Sequence, residues 1–151
     1  MNTYIDTALL VKAFVFEADS ARTIALLEQV GEPFAYSHLH EIEIPNAIRL
    51  KRFRGEITKA QETSAIRIFK ADVDAGRFER LAYDLGSVFI RAEQLSARYS
   101  GELGTRSLDL WHVAAAVETG CIAFASYDTR QRAAAARCKL ELLPVKLPVD
   151  P

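Results

Sequence analysis

The chain has 151 residues, 50% of them hydrophobic, and a net charge of −1. That length suits one domain whose core needs no disulfide or metal staple. Near-neutrality excludes a globally polycationic nucleic-acid binder, so a nucleic-acid partner has to be met by a local basic patch. No run approaches the roughly 18 apolar residues of a membrane span, and Met1-Asn2-Thr3-Tyr4-Ile5-Asp6 carries no basic segment ahead of an apolar one. A soluble, cytoplasmic protein with no membrane partner is expected. Cys121 and Cys138 form no Cys-x-x-Cys pair and no zinc-type cluster, and read as two reduced, partly buried thiols.

In chain order, Thr3–Asp6 reads as a short strand on Tyr4 and Ile5. Residues 7–16 place Leu9, Leu10, Ala13 and Phe14 at helical spacing. Asp19 or Ser20 is positioned to cap a helix to about Val30, stopped by Gly31 and Pro33. Phe34–Ser37 is a second strand, and residues 38–53 look helical, with Pro45 forcing either a bend or a start close to it. Gly55 closes that helix; Thr58 caps the next, residues 59–75, which ends at Gly76. Phe78–Ala82 is a third strand. Residues 84–99 form a helix carrying Leu85, Val88, Phe89, Ala92 and Leu95, followed by a loop over 100–105. Residues 106–119 are a strongly apolar helix closed by Gly120. Cys121–Ala125 is an apolar run of strand length, Asp128 opens an alanine-rich helix, and Leu140–Leu143 is a last strand before a proline-rich tail. Strands alternating with helices predict an α/β fold with a mainly parallel central sheet flanked by helices, whose ligand crevice lies at the carboxyl ends of the strands.

Acids fall at that crevice. Asp6 directly follows the first strand, and Asp128 follows the Ile122–Ala125 run after Ser126 and Tyr127. Each, taken singly, is equally a helix N-cap. Asp109 lies in a helix apolar on most sides, where a carboxylate is costly unless paired or bound to metal; the alternative is an acid in the first turn, facing the positive end of the helix dipole. Glu41 and Glu43 point about 200° apart on a helix, so only one faces the crevice; Glu41 suits the first turn, and Asn46 and Ala47 share the side of Glu43. Converging carboxylates repel unless a cation joins them, and all-oxygen ligands favour Mg²⁺ or Mn²⁺ over zinc. Such an ion activates water for in-line attack on a phosphodiester.

Four segments carry a family resemblance. Tyr4-Ile5-Asp6-Thr7-Ala8-Leu9-Leu10-Val11-Lys12 resembles the opening strand and first acid of PIN domains. The segment from Ser37 to Ile48 resembles their second motif, with the glutamate at Glu43 and Pro45 as a departure. The segment from Arg106 to Ala116 resembles the third, with its acid at Asp109, and Phe124 to Arg130 the fourth, with its acid at Asp128. The order and extent of the match are most similar to VapC-like toxins of toxin–antitoxin pairs. The resemblance implies a single PIN-like domain and a Mg²⁺- or Mn²⁺-dependent endoribonuclease leaving 5′-phosphate and 3′-hydroxyl ends. It also implies a homodimer and a cognate antitoxin protein. Asp6 and Asp109 are then the main metal ligands, with Glu43 and Asp128 completing the site.

Other residues carry two readings. Arg49, Lys51, Arg52 and Arg54, around Phe53, form either an RNA-phosphate surface or a solvated helix end. Lys12 is a further phosphate candidate, against a snorkelling surface lysine. Thr7, Asn46 and Ser126 either support the carboxylates or cap helices and turns. His112, one turn from Asp109, reads as a hydrogen-bonded core histidine, and Trp111 as core packing; His38 and His40 lack a further ligand for a metal site. Two other functions compete: an aspartyl-nucleophile phosphohydrolase, which commonly wants a second acid where Ala8 stands, and a non-catalytic PIN-like RNA- or protein-binding module.

Overall fold

The computed structural model describes residues 3–147. In chain order its elements are β1 (Thr3–Ile5), α1 (Thr7–Val11), α2 (Ser20–Val30), β2 (Phe34–Tyr36), α3 (His38–Phe53), α4 (Lys59–Asp74), β3 (Phe78–Arg80), α5 (Leu85–Leu95), a π-helical turn (Ser96–Ser100), α6 (Gly101–Leu103), α7 (Ser107–Glu118), β4 (Ala123–Ala125), α8 (Thr129–Arg137) and β5 (Glu141–Leu143). They form two compact units, one running to Asp6 and resuming at Leu81, the other spanning Thr7–Arg80. The expected α/β class holds, and every strand pair is parallel.

The first unit is built on a sheet of order β1-β4-β5. Tyr4 pairs with Phe124 and Ile5 with Ala125, so β1 and β4 end in register. The Tyr4 and Phe124 rings stack at 5.6 Å, both fully buried. All three residues of β4 are buried, as suits a strand covered on both faces. Helix α7 buries every residue from Leu110 to Ala116, as its sequence required. Of the five apolar residues that the sequence lines up on α5, Val88 and Leu95 are buried; Leu85 and Phe89 are 51% and 58% exposed. The loop expected over 100–105 is shorter, because the helical course continues through the π-turn and α6 until Gly104 adopts φ 67°. A left-handed φ is open to glycine without a Cβ clash, so the chain reverses there.

In the second unit β2 and β3 pair with Phe34 opposite Phe78. Phe14, Phe34, Tyr36, Phe69 and Phe78 form its aromatic core, with Phe14 edge-on to Phe69 at 5.4 Å. That packing accompanies an early end to α1, expected to reach Phe16. Beyond Val11 the amides of Lys12, Ala13 and Phe14 turn back to carbonyls three residues earlier, tightening the chain. Asp19 sits at the start of α2 but its carboxylate does not cap it; it pairs with Lys12 at 2.9 Å. Helix α3 covers the span the sequence predicted and runs through Pro45 rather than starting near it. Its start is fixed at Ser37, whose amide donates to His40 Nδ1 at 3.0 Å while His40's amide donates to Ser37 Oγ at 3.4 Å. That reciprocal cap satisfies two amides at the helix start, which otherwise lack intrahelical acceptors. His40 is thereby a buried cap. Thr58 and Gln61 cap α4 in the same manner.

Cys121 is buried and Cys138 half-buried, both free, and burial pushes both thiols up. Among the described residues no helix is long and apolar enough to cross a membrane. The end of the proline-rich tail, from Pro148 on, lies outside the described residues, as do Met1 and Asn2.

Candidate active site

Three of the four motif acids belong to the first unit. Asp6 leaves the carboxyl end of β1, where its amide donates to the Ala125 carbonyl at 3.0 Å and extends the β1–β4 pairing by one residue. It is 4% exposed. The next residue on the neighbouring strand is Ser126, also buried. Its hydroxyl donates to Asp6 Oδ2 at 2.6 Å and accepts the Asp128 amide at 3.0 Å. One hydroxyl therefore ties the Asp6 carboxylate to the main chain of Asp128, more than a hundred residues away in sequence. Parallel strands ending level at Ile5 and Ala125 make that bridge possible.

Asp128 is the N-cap of α8, its Oδ1 accepting the Gln131 amide at 2.8 Å. The capping role weighed for it is real and leaves its other oxygen outside that bond. Asp109 occupies the first turn of α7, 14% exposed at its side chain. Its carboxylate accepts the Arg106 amide at 3.3 Å and the Arg106 Nε at 2.9 Å, with Nη2 at 3.3 Å. Arg106, largely in solvent, thus holds both Asp109 oxygens.

Two further ties join these segments. Tyr4 Oη and His112 Nδ1 share a hydrogen bond of 2.8 Å, linking β1 to α7 one turn beyond Asp109. His112 is the core histidine the sequence suggested, and Trp111 packs edge-on to Tyr83 at 5.8 Å. Gln131 reaches from Asp128 toward Asp109, its Nε2 lying 3.5 Å from the Asp109 carbonyl. Gln131 is 2% exposed, and its Oε1 is buried with no hydrogen-bond partner among the described residues. Such an orphaned acceptor costs about 1–3 kcal/mol unless something donates to it.

Gln131 and Arg106 escaped the sequence reading. Asp128-Thr129-Arg130-Gln131 has capping-box spacing, which hinted at Gln131. Ser126 takes the Asp128 amide in its place and leaves the glutamine side chain to α7. Arg106 carried a weaker hint, a cation three residues before an acid.

Glu43, in the second unit, is half-buried and accepts the Thr7 hydroxyl at 2.5 Å. Glu41 instead forms an exposed ion pair with Arg80, whose guanidinium lies 5.2 Å from the centre of the Tyr36 ring. Asn46 is exposed on α3.

The basic cluster after Glu43 is largely spoken for. Lys51 pairs with Glu17 and with Glu56 at 3.1 Å; Arg52 pairs with Glu62 at 3.2 Å; Arg54 lies 3.9 Å from Glu56. Lys12 pairs with Glu17 at 2.6 Å as well as with Asp19. Burial alone would raise the Glu17 carboxyl, but hydrogen bonds from Lys12 and Lys51 overcome it and hold it below its ordinary value. Of the proposed RNA-contacting cations, Arg49 alone has no ion pair among the described residues.

The PIN-domain family model matches residues 3–137. The chain belongs to the PIN-domain family. No curated protein matches it closely enough to add a named relative. PIN domains have a nuclease fold that generally works with divalent metal ions, and the matched span contains all four motif acids. In this PIN domain the donors of the first unit are hard carboxylate oxygens, with a buried amide oxygen that lacks a donor, a set whose chemistry fits Mg²⁺ or Mn²⁺ and not zinc. Among the described residues no three acidic, histidine or cysteine side chains converge tightly enough to enclose an ion as they stand. Arg106 accounts for Asp109, since its guanidinium occupies both oxygens a cation would need.

Proposed function

We propose that this PIN domain is a metal-dependent endoribonuclease, the toxin of a toxin–antitoxin pair, with Asp6, Asp109 and Asp128 holding Mg²⁺ or Mn²⁺. The supporting observation is the Ser126 hydroxyl shared between Asp6 and Asp128 at the carboxyl ends of two parallel strands. It brings together acids from distant stretches where an α/β sheet presents its ligand crevice. When bound, the cation supplies charge neutralisation at phosphorus and a more acidic water. The chain's own share is to hold its carboxylates in place: Ser126 fixes Asp6, the α8 amide fixes Asp128, and Arg106 fixes Asp109. The water oxygen bonds to phosphorus as the bond to the 3′-oxygen breaks, leaving a 5′-phosphate and a 3′-hydroxyl. Asp128 or Glu43 accepts the water's proton. The part of Glu43 is proposed from the motif resemblance alone, as are the homodimer, the cognate antitoxin and the cytoplasmic location.

The test is cleavage of single-stranded RNA by the purified protein in Mg²⁺ or Mn²⁺, with the product ends identified. Asp6→Asn and Asp109→Asn are expected to abolish it; full cleavage by either variant removes the proposed site. The toxin role is tested by growth arrest on expression and by recovery of a small co-purifying protein. The Arg106 clamp on Asp109 favours a second reading, a PIN-like module that binds RNA without cutting it. In that case wild-type protein leaves RNA intact with either metal.

A further inference from the structure

The sequence located its RNA-contacting candidates at Lys12 and in residues 49–54; of these Arg49 alone has no ion pair among the described residues, and it shares a groove with unpaired cations of α4. An open groove of about 580 Å³ runs along α4 within the second unit, lined by Arg49, Lys59, Arg67 and Lys70. Lys59 is paired with Glu62, which also takes Arg52 and is itself buried. Arg49, Arg67 and Lys70 are exposed and have no ion pair among the described residues. The other acid on the groove wall is Asp74, so the lining carries four cations against two anions.

The arrangement follows from helix geometry. Thr63, Arg67, Lys70 and Asp74 recur at intervals of three and four, which places them on one face of α4. Arg67 and Lys70 are separated by about 4.5 Å along the axis, and Arg49 reaches the same groove from α3. A hydroxyl, two guanidinium groups and an ammonium on one open face can grip successive phosphates of a strand. The arginine forks bind phosphate oxygens in pairs and the lysine acts as a point charge. Elsewhere the unit's lysines and arginines are mostly spent on its own glutamates, so this is where its uncompensated positive charge is concentrated.

We propose that the α4 groove binds the phosphodiester backbone of the RNA substrate, through Arg49, Arg67 and Lys70. This rests on the nuclease reading for the identity of the strand, but the binding is measurable without catalysis. A labelled single-stranded RNA oligonucleotide is titrated with the full chain in a chelator, at several salt concentrations, and followed by fluorescence anisotropy. Arg67→Gln/Lys70→Gln is expected to weaken binding roughly tenfold and to reduce the slope of log K against log salt by about 1.4, two phosphate contacts' worth for a single strand. Arg67→Lys/Lys70→Arg keeps the slope, and Arg22→Gln, a surface charge outside the groove, leaves it nearly unchanged. Because both groove side chains are exposed, the melting temperature of the double variant should match wild type. An unchanged slope in the folded double variant overturns the groove assignment whether or not the protein cuts RNA. So does polyglutamate binding that depends on Arg67 and Lys70 while RNA binding does not, which would make the groove a seat for an acidic protein. Groove-dependent RNA binding by a chain that cuts nothing upholds the groove and sinks the nuclease reading instead.

Discussion

Two buried or half-buried carboxylates of the Thr7–Arg80 unit and two motif acids of the other unit are held in different ways. In the Thr7–Arg80 unit, Glu17 lies between Lys12 and Lys51, and buried Glu62 between Arg52 and Lys59. In the unit formed by β1 and the chain from Leu81 on, a neutral hydroxyl bonds Asp6 and a neutral backbone amide bonds Asp128. A carboxylate between two basic side chains has its charge balanced and serves as a structural joint. A hydroxyl or amide fixes a carboxylate's orientation and leaves its charge in place. Asp109 sits between these cases, neutralised by one exposed arginine that a doubly charged ion can outcompete at close range. On the proposed function, the difference separates acids that build the fold from acids that would hold a cation.

The largest expected effects break the comparison on its functional side. Asp6→Asn, Asp109→Asn and Asp128→Asn should each lower RNA cleavage roughly a hundredfold or more, since each removes a charged ligand from the cation that would neutralise the reacting phosphate. Glu17→Gln should leave cleavage within a few-fold of wild type. Rates measured at matched folded concentration check both.

A smaller effect sharpens it on the structural side. Ser126→Ala removes one donor and one acceptor from a buried site, leaving the Asp128 amide without that partner and taking the hydroxyl from Asp6. Unfolding by denaturant should show a loss of about 1–3 kcal/mol, with cleavage reduced because Asp6 is no longer fixed. Ser126→Thr, which keeps the hydroxyl, should recover part of both.

The smallest effect concerns pH. The folded-state pKa of Glu17 is depressed, so its contribution to stability is present above the unfolded value and is lost as pH falls through the folded one. The advantage of wild type over Glu17→Gln should therefore fade below about pH 4.5, and the acid-unfolding midpoints should differ by a few tenths of a pH unit. Equal stabilities at neutral pH would show that the Lys12–Glu17–Lys51 joint contributes nothing.

These contrasts also show what the sequence could reveal. Local patterning was enough for the parallel α/β class, for α3 and α4 within a residue at either end, and for the buried α7. Those elements are specified by caps and by periodicity inside short windows. The early end of α1 was hidden because it accompanies Phe14 packing on Phe69 and Phe78, contacts with residues far along the chain. The exposure of Phe89 was hidden because spacing gives an apolar stripe without saying how much of it is covered. At the candidate site, the acids stood out as charges at strand ends. The Ser126 bridge, the Arg106 clamp and the orphaned Gln131 oxygen required three-dimensional neighbours. The pairing of the basic cluster was hidden in part for the same reason: Glu17 and Glu62, which pair with Lys51 and Arg52, come from other segments of the chain, and Arg67 and Lys70, unpaired among the described residues, lie more than ten residues beyond it.

The central proposal is that Asp6, Asp109 and Asp128 share a divalent cation. Calorimetric titration of the folded protein with Mn²⁺ tests it without reference to any substrate. Binding that is saturable in wild type and largely lost in Asp6→Asn and Asp109→Asn, each folded as judged by its thermal transition, is the expected result. Absence of binding in wild type, or equal binding in both variants, contradicts it.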